Sequence, residues 1–127
     1  MKYLLDTHTA IWALDDAAKL SKTAKAIIDD TSIYIYMSIA SVWEIAIKIN
    51  NGKLDFFGGS ESFLEYMREN GIEIVGVRGV HIKHMESLPF IHRDPFDRLL
   101  IATAQSEGLT ILTDDDNIRL YDVLTLW

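Results

Sequence analysis

Apolar residues recur along this chain with two different spacings, and the alternation between them lays out the elements. Short uninterrupted apolar runs mark strands buried on both faces. Tyr3-Leu4-Leu5 is the first such run, and Ile33-Tyr34-Ile35-Tyr36-Met37, rich in β-branched and aromatic residues, is the second. Ile72-Glu73-Ile74-Val75, Thr110-Ile111-Leu112 and Val123-Leu124-Thr125-Leu126 follow. Between the runs, apolar positions fall at helical spacing. Helices are expected from about Thr9 to Leu14 and from Ser21, a capping residue, to Asp29. From Ile39 to Ile49, Val42, Ile45, Ala46 and Ile49 share one face, and Asn50-Asn51-Gly52 stops the helix. Ser60 to Asn70 is closed by Gly71, and Gly79 to Leu88 ends before Pro89. Pro95 to Ser106 has Asp94 as cap, proline in the first position and Gly108 at its end. This rhythm predicts an α/β fold with a mostly parallel sheet covered by helices on both faces. No repeat, low-complexity tract or linker interrupts it, so residues 1–127 read as a single domain.

Four acidic sites break the apolar pattern. Asp6 closes the first strand. Glu44 stands among apolar neighbours in Ser41-Val42-Trp43-Glu44-Ile45-Ala46. Asp97 opens an otherwise apolar helix, and Asp114-Asp115-Asp116 follows the fourth strand. In an open α/β sheet the carboxyl ends of the strands converge on one crevice. Carboxylates gathered there repel one another unless a hard cation neutralises them, and an oxygen-only donor set suits Mg²⁺ or Mn²⁺. Each acid also has a local use. Asp6 and Asp94 can cap the helices that follow them. Ser41-Val42-Trp43-Glu44 has the form of a capping box, and the aspartate run can be a turn with a cap. Four independent caps have no reason to share one crevice, and their joint placement is the stronger signal.

Composition narrows the classes. The chain is 49% hydrophobic and 24% charged, as for a globular protein with a real core. No apolar run approaches the roughly 18 residues of a membrane span, and the N-terminus carries no secretory-signal pattern. Cysteine is absent, which excludes disulfide and thiol chemistry and fits a reducing compartment, so a cytoplasmic location is expected. The net charge of −7 disfavours plain nucleic-acid binding, yet carboxylates that hold divalent ions can still face a phosphate. There is neither a Gly-x-Ser-x-Gly elbow nor a Walker-type glycine loop, so no nucleotide cofactor is expected.

Several segments together carry a family likeness: Leu4-Leu5-Asp6-Thr7-His8; Ser38 to Lys48, with Trp43-Glu44-Ile45-Ala46 at its centre; Gly52-Lys53-Leu54; His92-Arg93-Asp94-Pro95-Phe96-Asp97-Arg98-Leu99-Leu100-Ile101-Ala102; and Leu112-Thr113-Asp114-Asp115. In that order they resemble a PIN domain, and more narrowly the toxin nuclease of a VapBC-type toxin–antitoxin pair. The resemblance implies a PIN-like α/β/α sandwich around a parallel sheet of about five strands. It implies metal-dependent cleavage of RNA, a cognate antitoxin and a homodimer. The family's acids fall on Asp6, Glu44 and Asp97. The fourth follows Thr113 by two positions, which selects Asp115 over Asp114 and Asp116, and Asp94 is an additional acid that supports the helix start or a second ion.

On this reading Asp6 and Asp97 are the main ligands of Mg²⁺ or Mn²⁺. Asp115 binds directly or through water, and Glu44 holds a second ion or orients the attacking water. Thr113 supports a carboxylate or a water. Lys48, Arg93 and Arg98 are candidates for holding RNA phosphates, with surface ion pairing as their plain alternative. The four histidines are expected on the surface or in polar loops rather than in catalysis, and His81 and His84 lack the companions of a zinc site. Trp12 and Trp43 are expected in the core, although the resemblance adds a second use, an apolar groove that receives an antitoxin segment. Two rivals stay in view: a phospho-receiver module of similar length, and a PIN-like domain that binds without cleaving.

Overall fold

Leu4 and Leu5 are both fully buried although neighbouring strand residues point to opposite faces, so the first strand lies inside the molecule with packing on each side. The computed structural model describes residues 1–127. The elements run β1 (Lys2–Leu5), α1 (Thr7–Asp15), a 3₁₀ turn at Ala17–Lys19, α2 (Lys22–Asp29), β2 (Tyr34–Ser38), α3 (Ile39–Asn50), α4 (Gly59–Glu69), β3 (Ile72–Val75), α5 (Gly79–Glu86), α6 (Pro95–Glu107), β4 (Thr110–Leu112), α7 (Asp116–Arg119) and β5 (Thr125–Leu126). The strands pair in the order β3-β2-β1-β4-β5, every pair parallel. Tyr3, Leu5, Ile35, Met37 and Leu112 face one core with Ala10, Ala24, Ile27, Val42, Ile45, Phe63 and Met67 from α1 to α4. Leu4 and Ile111 face the other, against Leu100, Ile101 and Ala104 of α6 and Ile118 of α7.

The elements depart from expectation where local hydrogen bonds override the apolar pattern. Helix α1 starts at Thr7, because the Asp6 side chain accepts from Thr9 N and turns the chain straight out of the strand. Strand β2 starts at Tyr34, since the Ile33 N–H donates to Asp30 O instead of joining the ladder. Ser38 caps α3, so Glu44 lies in its second turn and the capping-box reading of Ser41 to Glu44 is overturned. Helix α7 was not expected: it is one turn long, capped by Asp115, and only Ile118 is buried, too little for a periodic signal.

The strand order excludes the receiver reading, since receivers share the flavodoxin-like order 2-1-3-4-5. Here the chain leaves β1 for β2 and β3 on one side, then returns to β4 and β5 on the other. The order reverses between β1 and β4, and the crevice beyond their carboxyl ends is where such sheets bind ligands. No helix is long and apolar enough to cross a membrane.

Candidate active site

Asp6 and Thr113 are the first residues past β1 and β4, so the parallel pairing of Leu5 with Leu112 sets them side by side. Asp6 is only 3% exposed. One carboxylate oxygen accepts from Thr9 N at 2.7 Å and the other from the Thr113 hydroxyl. Burial raises the Asp6 carboxyl above its ordinary range, and the hydrogen bonds from Thr113 and Thr9 oppose that rise. Thr113 Oγ1 also accepts from Asp115 N at 3.0 Å, which links the first acid to the fourth. Asp115 is half-buried, whereas Asp114 and Asp116 are exposed and Asp116 lies 3.5 Å from Arg119.

Glu44 comes in from α3. Its Oε1 accepts from Thr7 Oγ1 at 2.7 Å, and its Oε2 lies 3.3 Å from Lys48 Nζ one turn on. Thr7 Oγ1 is in turn 3.0 Å from Ser41 Oγ. Asp97 comes from the first turn of α6, behind the cap that Asp94 makes on Phe96 N at 2.8 Å. Burial, then the charges of Asp94, Asp115 and Glu44, push the Asp97 carboxyl up to about 7, with His92 opposing. His92 Nε2 lies 3.2 Å from Asp97 Oδ2. The ligand-capable atoms of His92, Asp94 and Asp97 all fall within 4.8 Å of one another.

The acids singled out in the sequence therefore meet at one end of the sheet. The charges of Asp94, Asp115 and Glu44 all bear on Asp97. Asp6 joins them through Thr113 on one side and its chain neighbour Thr7 on the other. Lys48 stands at the edge, and Arg93 is exposed close by. Arg98 does not join them, which corrects its place among the phosphate-holding candidates. It is 8% exposed, and its Nη1 donates to Pro89 O and to Tyr121 Oη, both at 3.0 Å. Burial takes it away from any phosphate at the acidic end.

Two participants were missed. Thr7 had only its place beside Asp6 as a signal. His92 was assigned to a polar loop, and no spacing rule links it to Asp97. His81 also departs from expectation: it is buried, with Nε2 2.7 Å from Glu107 and Nδ1 accepting from Arg78 N at 3.1 Å, a tie between α5 and α6. Trp43 is not core. It is 63% exposed, edge-on to Phe96 with ring centres 5.2 Å apart, and Ile39 and Ile47 continue the exposed apolar stripe along α3. Trp12 is half-buried against Trp127.

Comparison with known proteins agrees with this architecture. No curated protein matches the chain in sequence. Among solved structures, the complex VapBC2 from Rickettsia felis bound to a DNA fragment from its promoter superposes with a TM-score of 0.76 at 15% identity, covering 100% of this chain and 99% of that one. FitAcB from Neisseria gonorrhoeae gives 0.67 at 20% identity, covering 98% and 96%. VapC20 of Mycobacterium tuberculosis, a toxin that cleaves the sarcin–ricin loop, gives 0.66 at 14% identity, covering 96% of each chain. These likenesses establish the fold. The sequence profile of the PIN domain matches residues 3–124, nearly the whole chain. With its acids gathered at the β1–β4 switch, the chain belongs to the PIN domain family.

Proposed function

We propose that this protein is a divalent-metal-dependent endoribonuclease, the toxin of a type II toxin–antitoxin pair acting in the cytoplasm. The observation that carries the reading is the crowding around Asp97. A carboxyl pushed up to about 7 by burial and three neighbouring acids marks negative charge that His92, the one cation-capable side chain against it, does not balance. The cations within reach do not resolve it. Lys48 pairs with Glu44, and Arg98 points elsewhere. A donor set of carboxylate oxygens at a strand-end crevice fits Mg²⁺ or Mn²⁺. Asp6, Asp97 and Asp115 would hold the ion, and Glu44 would hold a second ion or orient water.

A bound divalent ion supplies neutralisation of the phosphate, activation of water and stabilisation of the leaving oxygen. The chain itself supplies aim. Thr113 and the Thr9 N–H fix both oxygens of Asp6, so its carboxylate plane is set before any substrate arrives. Thr7 does the same for one oxygen of Glu44. Lys48 and Arg93 offer positive charge at the margin, where a phosphodiester chain can lie without entering the acidic floor. The exposed Trp43, packed edge-on against the half-buried Phe96 beside that margin, suits an apolar antitoxin segment, and the protein's net charge of −7 favours a basic one. Self-association as a homodimer belongs to the same reading.

The test is cleavage of RNA by the purified full chain with Mg²⁺ or Mn²⁺, followed by mapping of new 5′ ends after brief expression in cells. Cleavage is expected to vanish in excess EDTA and in Asp6→Asn. Cleavage that persists in both rules the proposal out. An inactive PIN-like domain would instead show neither cleavage nor thermal stabilisation by the ions.

A further inference from the structure

The segment from Ser87 to Asp94, between α5 and α6, forms neither helix nor strand, so its backbone groups need other partners. The segment's own turns supply some, with Ile91 N donating to Pro89 O at 3.0 Å, and two buried side chains supply others. The Tyr121 hydroxyl oxygen accepts from Ile91 N at 3.2 Å and from His92 N at 2.8 Å. Arg98 Nη1 donates to that same oxygen and to Pro89 O, and its guanidinium lies 4.8 Å over the Phe90 ring. Arg98 makes no ion pair with any carboxylate. A buried guanidinium bonded only to neutral oxygens is costly, which singles out the segment it holds. Where this segment reaches α6, His92 Nε2 stands against Asp97 Oδ2.

We infer that Tyr121 and Arg98 form a clasp that fixes residues 89–92 so that His92 orients the Asp97 carboxylate. His92 and Tyr121 are then positioning residues of the site. A carboxylate rotates freely about its last bond unless a donor holds one oxygen, and such outer contacts aim the remaining lone pairs. The device is anchored within one helix: Asp97 presents the carboxylate, and Arg98, the next residue of α6, draws back the loop that carries its partner. The meaning of this orientation rests on the nuclease reading, but the linkage from Tyr121 to Asp97 stands on geometry alone.

Tyr121→Phe tests it, because the ring keeps its place in the core and only the hydroxyl is lost. His92→Ala serves as the second variant, outside the core. In metal-free protein labelled with ¹⁵N-histidine, Tyr121→Phe is expected to move the His92 ring resonances and leave those of His8 in place. With MnCl₂ as the probe in calorimetry, each single variant is expected to lower affinity roughly tenfold. The double variant should fall no further than His92→Ala alone, since both act through one contact. Additive losses, or His92 resonances unmoved by Tyr121→Phe, overturn the inference. If the couplings hold while the parent protein cuts no RNA, the nuclease reading fails and the clasp remains.

Discussion

Replacing Asp97 with Asn isolates the charge crowding at the site. The folded protein raises this carboxyl from 3.8 to about 7. At roughly 1.4 kcal/mol per pH unit, ionised Asp97 therefore disfavours the metal-free fold by about 4 kcal/mol above pH 7. Part of that opposition belongs to Asp94, Asp115 and Glu44, which respond when Asp97 is neutral, so one substitution recovers about 2 kcal/mol. The sign follows from proton binding. Between about pH 4 and 7 the folded chain holds a proton that the unfolded chain has lost, so the contribution of Asp97 to stability without metal is fully present below about pH 4 and is lost as the pH rises through 7. Asn removes this dependence and also weakens the contact with His92, at a cost of about 1 kcal/mol. Urea denaturation in EDTA is expected to show Asp97→Asn more stable than the parent by about 1 kcal/mol at pH 8, and the two level near pH 5. Saturating Mn²⁺ should invert the order, because an ion at a hundred times its Kd adds about 2.7 kcal/mol to the parent and little to the variant. A parent whose EDTA-phase stability is flat from pH 5 to 8 would refute the reasoning, whatever the RNA assay showed.

Other perturbations reach separate parts of the site. Thr113→Val removes the hydroxyl between Asp6 and Asp115 and is expected to destabilise the protein by about 1–3 kcal/mol in urea melts, because Asp6 stays buried with one donor fewer. Thr7→Val frees Glu44 and leaves Ser41 unpartnered, so it should lower the RNA cleavage rate roughly tenfold and cost about 1–3 kcal/mol of stability; an unchanged rate would remove Thr7 from the site. Trp43→Ala should shift stability by only about 1 kcal/mol while weakening the antitoxin complex by about 2 kcal/mol or more in calorimetry, and undiminished affinity would move the antitoxin to another face. Arg93→Ala is expected to weaken RNA binding and flatten its salt dependence, whereas Arg98→Ala should act mainly on stability, because its guanidinium is buried.

Local patterning was enough to read the alternation of strands and helices, the cap at Asp94 and the acids at the strand ends. These depend on neighbours a few residues apart: uninterrupted apolar runs, apolar positions at a period of 3.6, a proline after an aspartate, a carboxylate closing an apolar run. The family likeness likewise lay in contiguous segments. What the tertiary structure alone decided is which of these local uses share a place. Asp6 caps α1 and also faces the acidic cluster, and no rule of spacing could show that one side chain does both. Asp115 differs from Asp114 and Asp116 because the Thr113 hydroxyl, aimed by the pairing of β4 with β1, accepts the Asp115 N–H. His92 and Tyr121 are 29 residues apart and meet only because α6 and α7 pack on the same face of the sheet. The sequence marks where the chain is unlike its neighbours. Only long-range packing, set by strand order and burial, turns isolated carboxylates into a cluster whose charges act on one another.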